Sequence, residues 1–323
     1  MIAGGTTTAK SRLLSPGPIK GVAVVVILVA ILGVLAIGAP FFFRFNNFVN
    51  ILVQASSLGL LAMAMALVMI GGGIDLSLPA NMAFSAILGG LWMAGGGHPV
   101  VGVLIMLVAG SGIGLLNGVA VAYLRMIPFV VTLATMTAVG GLNVWLTNSI
   151  SIADFPESYF TALLARPGGV PVPVIVTGIA ALVVSVVASA TLFGRRLYAV
   201  GINQAAARVA RVPVARTILS SYVLAGLLAG LTAMLLTARL GSASANMGTD
   251  SVVLDIVSAA VVGGISIYGG VGRPLGALLG AIFIVVLGNG LNLLGVSFYS
   301  SLMIKGVVII GFVALDGLAR RQQ

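Results

Sequence analysis

Apolar residues in this chain come in long unbroken runs, and those runs decide most of what it can fold into. The first is GVAVVVILVAILGVLAIGAP (21–40). Others fall at about 51–70, 78–94, 99–123, 127–147, 173–192, 217–238, 252–267, 275–294 and 299–318, making ten candidate spans. A helix rising 1.5 Å per residue crosses the roughly 30 Å of bilayer hydrocarbon in about 20 residues. Lipid offers the backbone no hydrogen-bond partner, so a spanning segment must be a helix or part of a closed barrel. A barrel strand would alternate polar and apolar residues over about ten positions, and these runs do not alternate. The expectation is an all-α, polytopic membrane protein of about ten transmembrane helices.

Composition removes the rivals. Hydrophobic residues make up 60% of the 323 and charged ones 7%, against about 25% charged in a soluble domain. Mean hydropathy is +1.22. Disorder needs the opposite balance. With Cys 0 there is no disulfide framework, and with His 1 a protein-made zinc or haem site is excluded. The net charge of +10 has no basic stripe with interleaved aromatics, so it does not indicate nucleic acid.

The charges instead report orientation. With the N-terminus in the cytoplasm, the inner segments hold Lys10, Arg12, Lys20, Arg125, Arg195, Arg196, Arg208, Arg211, Arg216, Arg273, Arg320 and Arg321. The outer segments hold Arg44, Arg166 and Arg239, and Lys305 lies inside the last span. That excess inside predicts an even number of spans with both termini cytoplasmic. The organisation expected is a tail (1–20), a membrane domain (21–318) and a short tail (319–323). The run at 21–40 exceeds the 7–15 residues of a signal core and reads as a retained span. FFFRFNNFVN (41–50) reads as an interfacial segment. The runs at 78–94 and 252–267 are short enough to be broken or re-entrant.

Two connections exceed a tight turn. The outer one, about 148–172, carries Asp154, Glu157 and Arg166. The inner one, 193–216, carries five Arg and no acid; INQAAARVARV (202–212), bounded by Gly201 and Pro213, reads there as one short helix. On charge alone it is either a solvated loop or a docking surface for a cytoplasmic partner. Small residues four apart at Gly110/Gly114, Gly114/Gly118, Gly226/Gly230 and Gly276/Gly280 predict close helix crossings. A faint echo pairs GGGID (71–75) with GGIS (263–266) and LLNGVAV (115–121) with LGNGLNL (287–293). It would relate two inverted halves.

Chemistry is sparse. There is no Walker A pattern, no H-E-x-x-H and no G-x-S-x-G elbow. GGVGRPLG (269–276) reads as a tight turn, and His98 has no chemical role. Membrane acids are few. Asp75 or Ser77 is expected to cap the helix beginning near Leu78, and Asp250 and Asp255 to complement the start of a short helix. Asp75, Asn117, Asp255, Asn289 and Asn292 are the candidate pathway residues, although neutral amides also serve as interhelical glue. So thin a supply of ionisable groups argues against an ion-coupled secondary transporter, and an intramembrane enzyme lacks a nucleophile or metal set.

Five ordered segments carry a resemblance over about residues 50–318. They are GGGIDLS (71–77), GLLNGVAVAYLRMIPFVVTLATM (114–136), FGRRLYAVGINQAAARVARVPV (193–214), GGISIYGGVG (263–272) and NGLNLLGVS (289–297). Together they resemble the permease subunit of bacterial ATP-binding-cassette importers of the ribose/xylose/galactoside group. Branched-chain amino-acid permeases share the general architecture but fit these motifs less well. The resemblance implies a multi-pass inner-membrane subunit working as a dimer, with an identical copy or a paralogue. It also implies a separate cytoplasmic ATPase that binds the ATP, a periplasmic sugar-binding protein, and no cofactor on this chain. It assigns the 193–216 loop to ATPase coupling, through Gly201, Asn203, Ala206, Ala207 and Arg208. Arg211, with Arg208 one of the two basic residues of 202–212, joins these coupling candidates but is a departure: the family usually has Gly there, Glu at Ala205 and Glu at Val253.

Overall fold

The computed structural model describes Gly33, Leu35 and residues 37–248 and 250–321. The tail at 1–20 and most of the first span lie outside the described residues, as do residues 322–323. The described residues form α1 (Phe45–Ile70), α2 (Leu78–Ala94), α3 (Pro99–Ala122), α4 (Pro128–Thr147), α5 (Glu157–Leu163) and α6 (Val172–Ala190). They continue as α7 (Leu192–Ile202), α8 (Gln204–Val209), α9 (Val214–Leu240), α10 (Asp250–Val262), α11 (Pro274–Leu293) and α12 (Phe298–Arg321). Six of these, α1, α3, α4, α6, α9 and α11, are long and apolar enough to cross a membrane, and α2 and α10 are shorter apolar helices. Each apolar run from residue 51 onward coincides with one helix. Proline opens several of them, at Pro99, Pro128 and Pro274. At the first helical position its missing N–H costs nothing, because that group has no intrahelical partner.

Two long helices form the centre. Every residue of α1 from Gly59 to Ile70 is buried, and α9 is buried over most of its length. α1 lies against α11, and α9 lies along α3. Oily surface alone does not drive helices together in lipid, so fit between backbones matters more. The glycines supply that fit. A Cβ added at Gly110 or Gly114 would collide with the carbonyl of Gly226 or Tyr222, and one at Gly230 would lie 2.5 Å from the Met106 oxygen. Gly276 and Gly280 make the equivalent crossing, α11 meeting α10 at Gly263 and Ala259. All four predicted small-residue pairs therefore sit at helix crossings.

Three features refine the sequence reading. First, FFFRFNNFVN is not one segment. Pro40–Phe43 forms a 3₁₀ turn and α1 begins at Phe45. The Arg44 guanidinium lies 4.3 Å from the Phe41 ring centroid. Second, the outer connection is folded and packed. Its α5 buries Tyr159, whose hydroxyl donates to the Met234 carbonyl at 2.7 Å, and Ile152 pairs with Ala243 as an isolated antiparallel bridge. Third, the echoing segments GGGID and GGIS are not at opposite ends. The Gly270 N–H donates to the Ile70 carbonyl at 2.9 Å, and a Cβ added at Gly269 would lie 3.0 Å from the Gly72 Cα. Six apolar helices, four long and two shorter, intervene (α2, α3, α4, α6, α9 and α10), and an even number returns the chain to the same side.

Candidate functional site

The arginine-rich connection is two helices and a break. α7 runs through Gly201 to Ile202, so Gly201 lies within a helix and does not bound one. Asn203 then turns extended, and its side chain accepts the Ala206 N–H at 3.0 Å. That is a standard N-cap, and it starts the six-residue α8. Ala207 is buried, while Ala206, Arg208 and Val209 are exposed. The chain leaves α8 through Arg211 at φ 58, with the Val212 N–H reaching back to the Ala207 carbonyl at 2.9 Å. This is a left-handed helix exit, where glycine avoids a Cβ penalty. The departure at Arg211 thus acquires a backbone meaning. Nothing in the structure explains the departures at Ala205 and Val253.

α7 is seated on the membrane helices through glycine. A Cβ at Gly201 would collide with the Ile70 carbonyl and approach Gly270 N at 2.5 Å. Leu197 is fully buried against Gly71. The Tyr198 hydroxyl donates to the Gly272 carbonyl at 2.7 Å. Burial raises its pKa above the ordinary phenol value, against the lowering effect of the Arg273 charge, so it stays a donor. The end of α1, the loop 263–273 and α7 therefore meet in one junction. The turn at 269–273 is as expected, with positive φ at Gly269, Gly270 and Gly272.

A polar knot adjoins this junction. Asp75 is buried, and its Oδ1 accepts the Ser77 N–H at 2.9 Å and the Ser77 hydroxyl at 2.6 Å. Asn117 donates to Ser77 Oγ at 2.8 Å, and the Thr135 hydroxyl donates to Asn117 Oδ1 at 2.6 Å. Thr132 and Tyr222 both donate to the Ile74 carbonyl, at 3.2 and 3.4 Å. The expected cap is corrected here. No side chain caps the first turn of α2, and Asp75 instead folds the turn ahead of it and ties it to α3. Asn81 and Asn143, which charge and motif did not single out as pathway residues, donate to the carbonyls of Gly110 and Ala80 at 3.0 Å each. His98 caps α3, its Nδ1 accepting the Val100 N–H at 3.3 Å.

The other three candidates lie at the opposite end of α1. Asp255 (α10), Asn289 and Asn292 (α11) line a cavity of about 440 Å³ together with Gln54 (α1), Ser301 and Lys305 (α12). Lys305 Nζ donates to both carboxylate oxygens of Asp255 at 2.9 Å. Asp255, expected to complement the start of α10, also forms an ion pair with α12. Asn289 and Asn47 exchange reciprocal amide hydrogen bonds at 2.9 and 3.0 Å. The five sequence candidates thus divide: Asp75 and Asn117 in a closed knot, Asp255, Asn289 and Asn292 around a cavity.

Long apolar helices around a polar cavity, with an arginine-bearing helical turn standing out from one end, define a multi-pass membrane permease. Residues 47–313 match the family described as branched-chain amino acid transport system / permease component, and the chain belongs to that family. It is 39% identical over 302 residues to the ribose import permease protein of Bacillus subtilis, covering 93% of this chain and 92% of the relative. It is 34% identical over 319 residues (93% and 95%) to the galactose/methyl galactoside import permease protein of Haemophilus influenzae. It is 33% identical over 298 residues (91% and 90%) to the D-allose transport system permease protein of Escherichia coli. No solved structure matches the chain. As a permease component of an importer, the chain is not the ATPase.

Proposed function

We propose that this chain forms the translocation pathway for a monosaccharide in a bacterial ATP-driven importer. The observation that carries this is the set of relatives named for ribose, galactose and allose, each aligned over about nine-tenths of both chains. In this reading the chain has ten spans with both termini in the cytoplasm. The end bearing α7 and α8 faces inward, where a separate ATPase holds the ATP, and the cavity faces outward, where a periplasmic binding protein delivers sugar. A second permease subunit completes the pathway. The exposed Asn203, Ala206, Arg208 and Arg211 form the ATPase contact, while Gly201 and the buried Ala207 seat the turn on the membrane helices. Closure of the ATPase moves α8, and the glycine junction passes that movement to the end of α1 as a rigid-body shift.

The packing supports two inverted halves, α1–α4 and α9–α12. Each begins with a long central helix, followed by a short one and two longer ones. Four apolar helices (α2, α3, α4 and α6) turn the chain between α1 and α9, which sends α9 in the opposite sense. The partners are exchanged as well, α1 against α11 and α9 against α3. Transporters with such halves keep their substrate site between them.

The test is reconstitution in proteoliposomes. Uptake of D-ribose, D-galactose or D-allose is expected to require the ATPase, ATP and the binding protein. Uptake by this chain alone, or uptake abolished by an ionophore without need for ATP, would refute the reading. The family description favours one second reading, a branched-chain amino acid as cargo; leucine uptake in place of sugar uptake would establish it.

A further inference from the structure

Asp255 and Lys305 form an ion pair, and it sits beside a cavity. A lone charge at membrane depth is expensive and is normally paired or functional. This pair is both partly exposed and unusually complete. Its side chains are 26% and 18% accessible, and the ammonium spends two of its three hydrogens on the two carboxylate oxygens. One N–H and the remaining carboxylate lone pairs are left over. The nearby amides of Gln54 and Asn292 also line the cavity and make no side-chain hydrogen bond among the described residues. Asn289, by contrast, is held by Asn47.

We infer that Asp255 and Lys305 together are the hydroxyl-reading element of the outer cavity, with Gln54 and Asn292 as neutral supports. The inference rests on the sugar-permease reading and adds residues to it. A donor and an acceptor side by side match two neighbouring hydroxyls of a sugar, each of which both donates and accepts. The pair has no net charge, so it offers charge-strength hydrogen bonds without favouring an ion over a neutral polyol. Its two members come from α10 and α12, so a shift between those helices separates the charges and changes the grip. A pathway needs this, because it must hold its cargo briefly and then release it.

The experiment uses the complete importer in proteoliposomes, with radiolabelled D-ribose, D-galactose and D-allose as probes. Uptake and binding-protein-stimulated ATP hydrolysis are measured on the same preparation. Asp255→Asn and Lys305→Gln are each expected to reduce uptake roughly ten- to hundredfold, the loss of a charged hydrogen bond, while stimulated hydrolysis persists. The double variant Asp255→Asn/Lys305→Gln keeps a neutral hydrogen-bonded link between α10 and α12, and it is expected to lose uptake as the single variants do. Normal uptake in the single variants overturns the inference. So does normal uptake in the double variant, which would make the pair a tether only. Loss of assembly and hydrolysis along with uptake in the double variant overturns it too. An unmodified importer that moves none of the three sugars refutes the sugar reading itself, and this inference falls with it.

Discussion

The two ends of α1 treat polar groups in opposite ways. At the Ile70 end, Asp75, Ser77, Asn117 and Thr135 are buried or half-buried and bonded to one another in a chain. At the Phe45 end, Asp255, Lys305, Asn292 and Gln54 border a cavity, and two of them make no side-chain bond among the described residues. Both sets look alike on paper, as a few acids and amides among apolar residues. Satisfaction separates them. A network whose donors and acceptors are used up is mechanical, holding a turn against a helix. A set with spare valence beside a cavity can bind.

Variants can break or sharpen this contrast, beginning with the largest effect. Gly114→Val pushes a side chain into the Tyr222 carbonyl across the α3–α9 crossing. Folded, monodisperse protein in detergent should all but disappear, because no rotamer escapes a backbone clash. Arg208→Glu with Arg211→Glu touches only exposed positions, so the protein should fold normally. ATP hydrolysis should then proceed without sugar uptake, and unchanged uptake would remove α8 from the coupling role. Asp75→Ala strips the knot of its acceptor and strands buried donors. Thermal unfolding in detergent should report a loss of about 1–3 kcal/mol, with cavity-end uptake kinetics altered less than by Asp255→Asn. Asn289→Ala removes the exchange with Asn47, at a cost near the average of about 0.6 kcal/mol for hydrogen bonds between membrane helices. Arg211→Gly should be the mildest. It relieves a left-handed arginine, and thermal unfolding in detergent should show stability equal to or slightly above that of the parent.

The helices were legible because membrane depth dictates a length and a composition, and each run from 51 onward met its helix within a few residues. The glycine crossings were legible for a similar reason, since four-residue spacing places small residues on one helix face. Pairing was not. Lys305 and Asp255 are 50 positions apart, and no spacing rule links them. The only available signal was that a lysine inside a span must find an acid. The break at Asn203 had a local signal, since Asn ahead of Gln-Ala-Ala is a preferred cap, but the alanine-rich run outweighed it and produced one helix on paper. The outer connection hid its packing because Tyr159 bonds to α9, far along the chain.

The exchange of partners between α1 and α11 carries a consequence for biogenesis. The ribosome releases α1 more than 200 residues before α11 exists, yet α1 from Gly59 onward has no face meant for lipid. Loose pairing with whatever passes, or with a chaperone, must occupy that surface until the second half is inserted. A chain cut between α6 and α7 should therefore leave both fragments in the bilayer but neither of them matured.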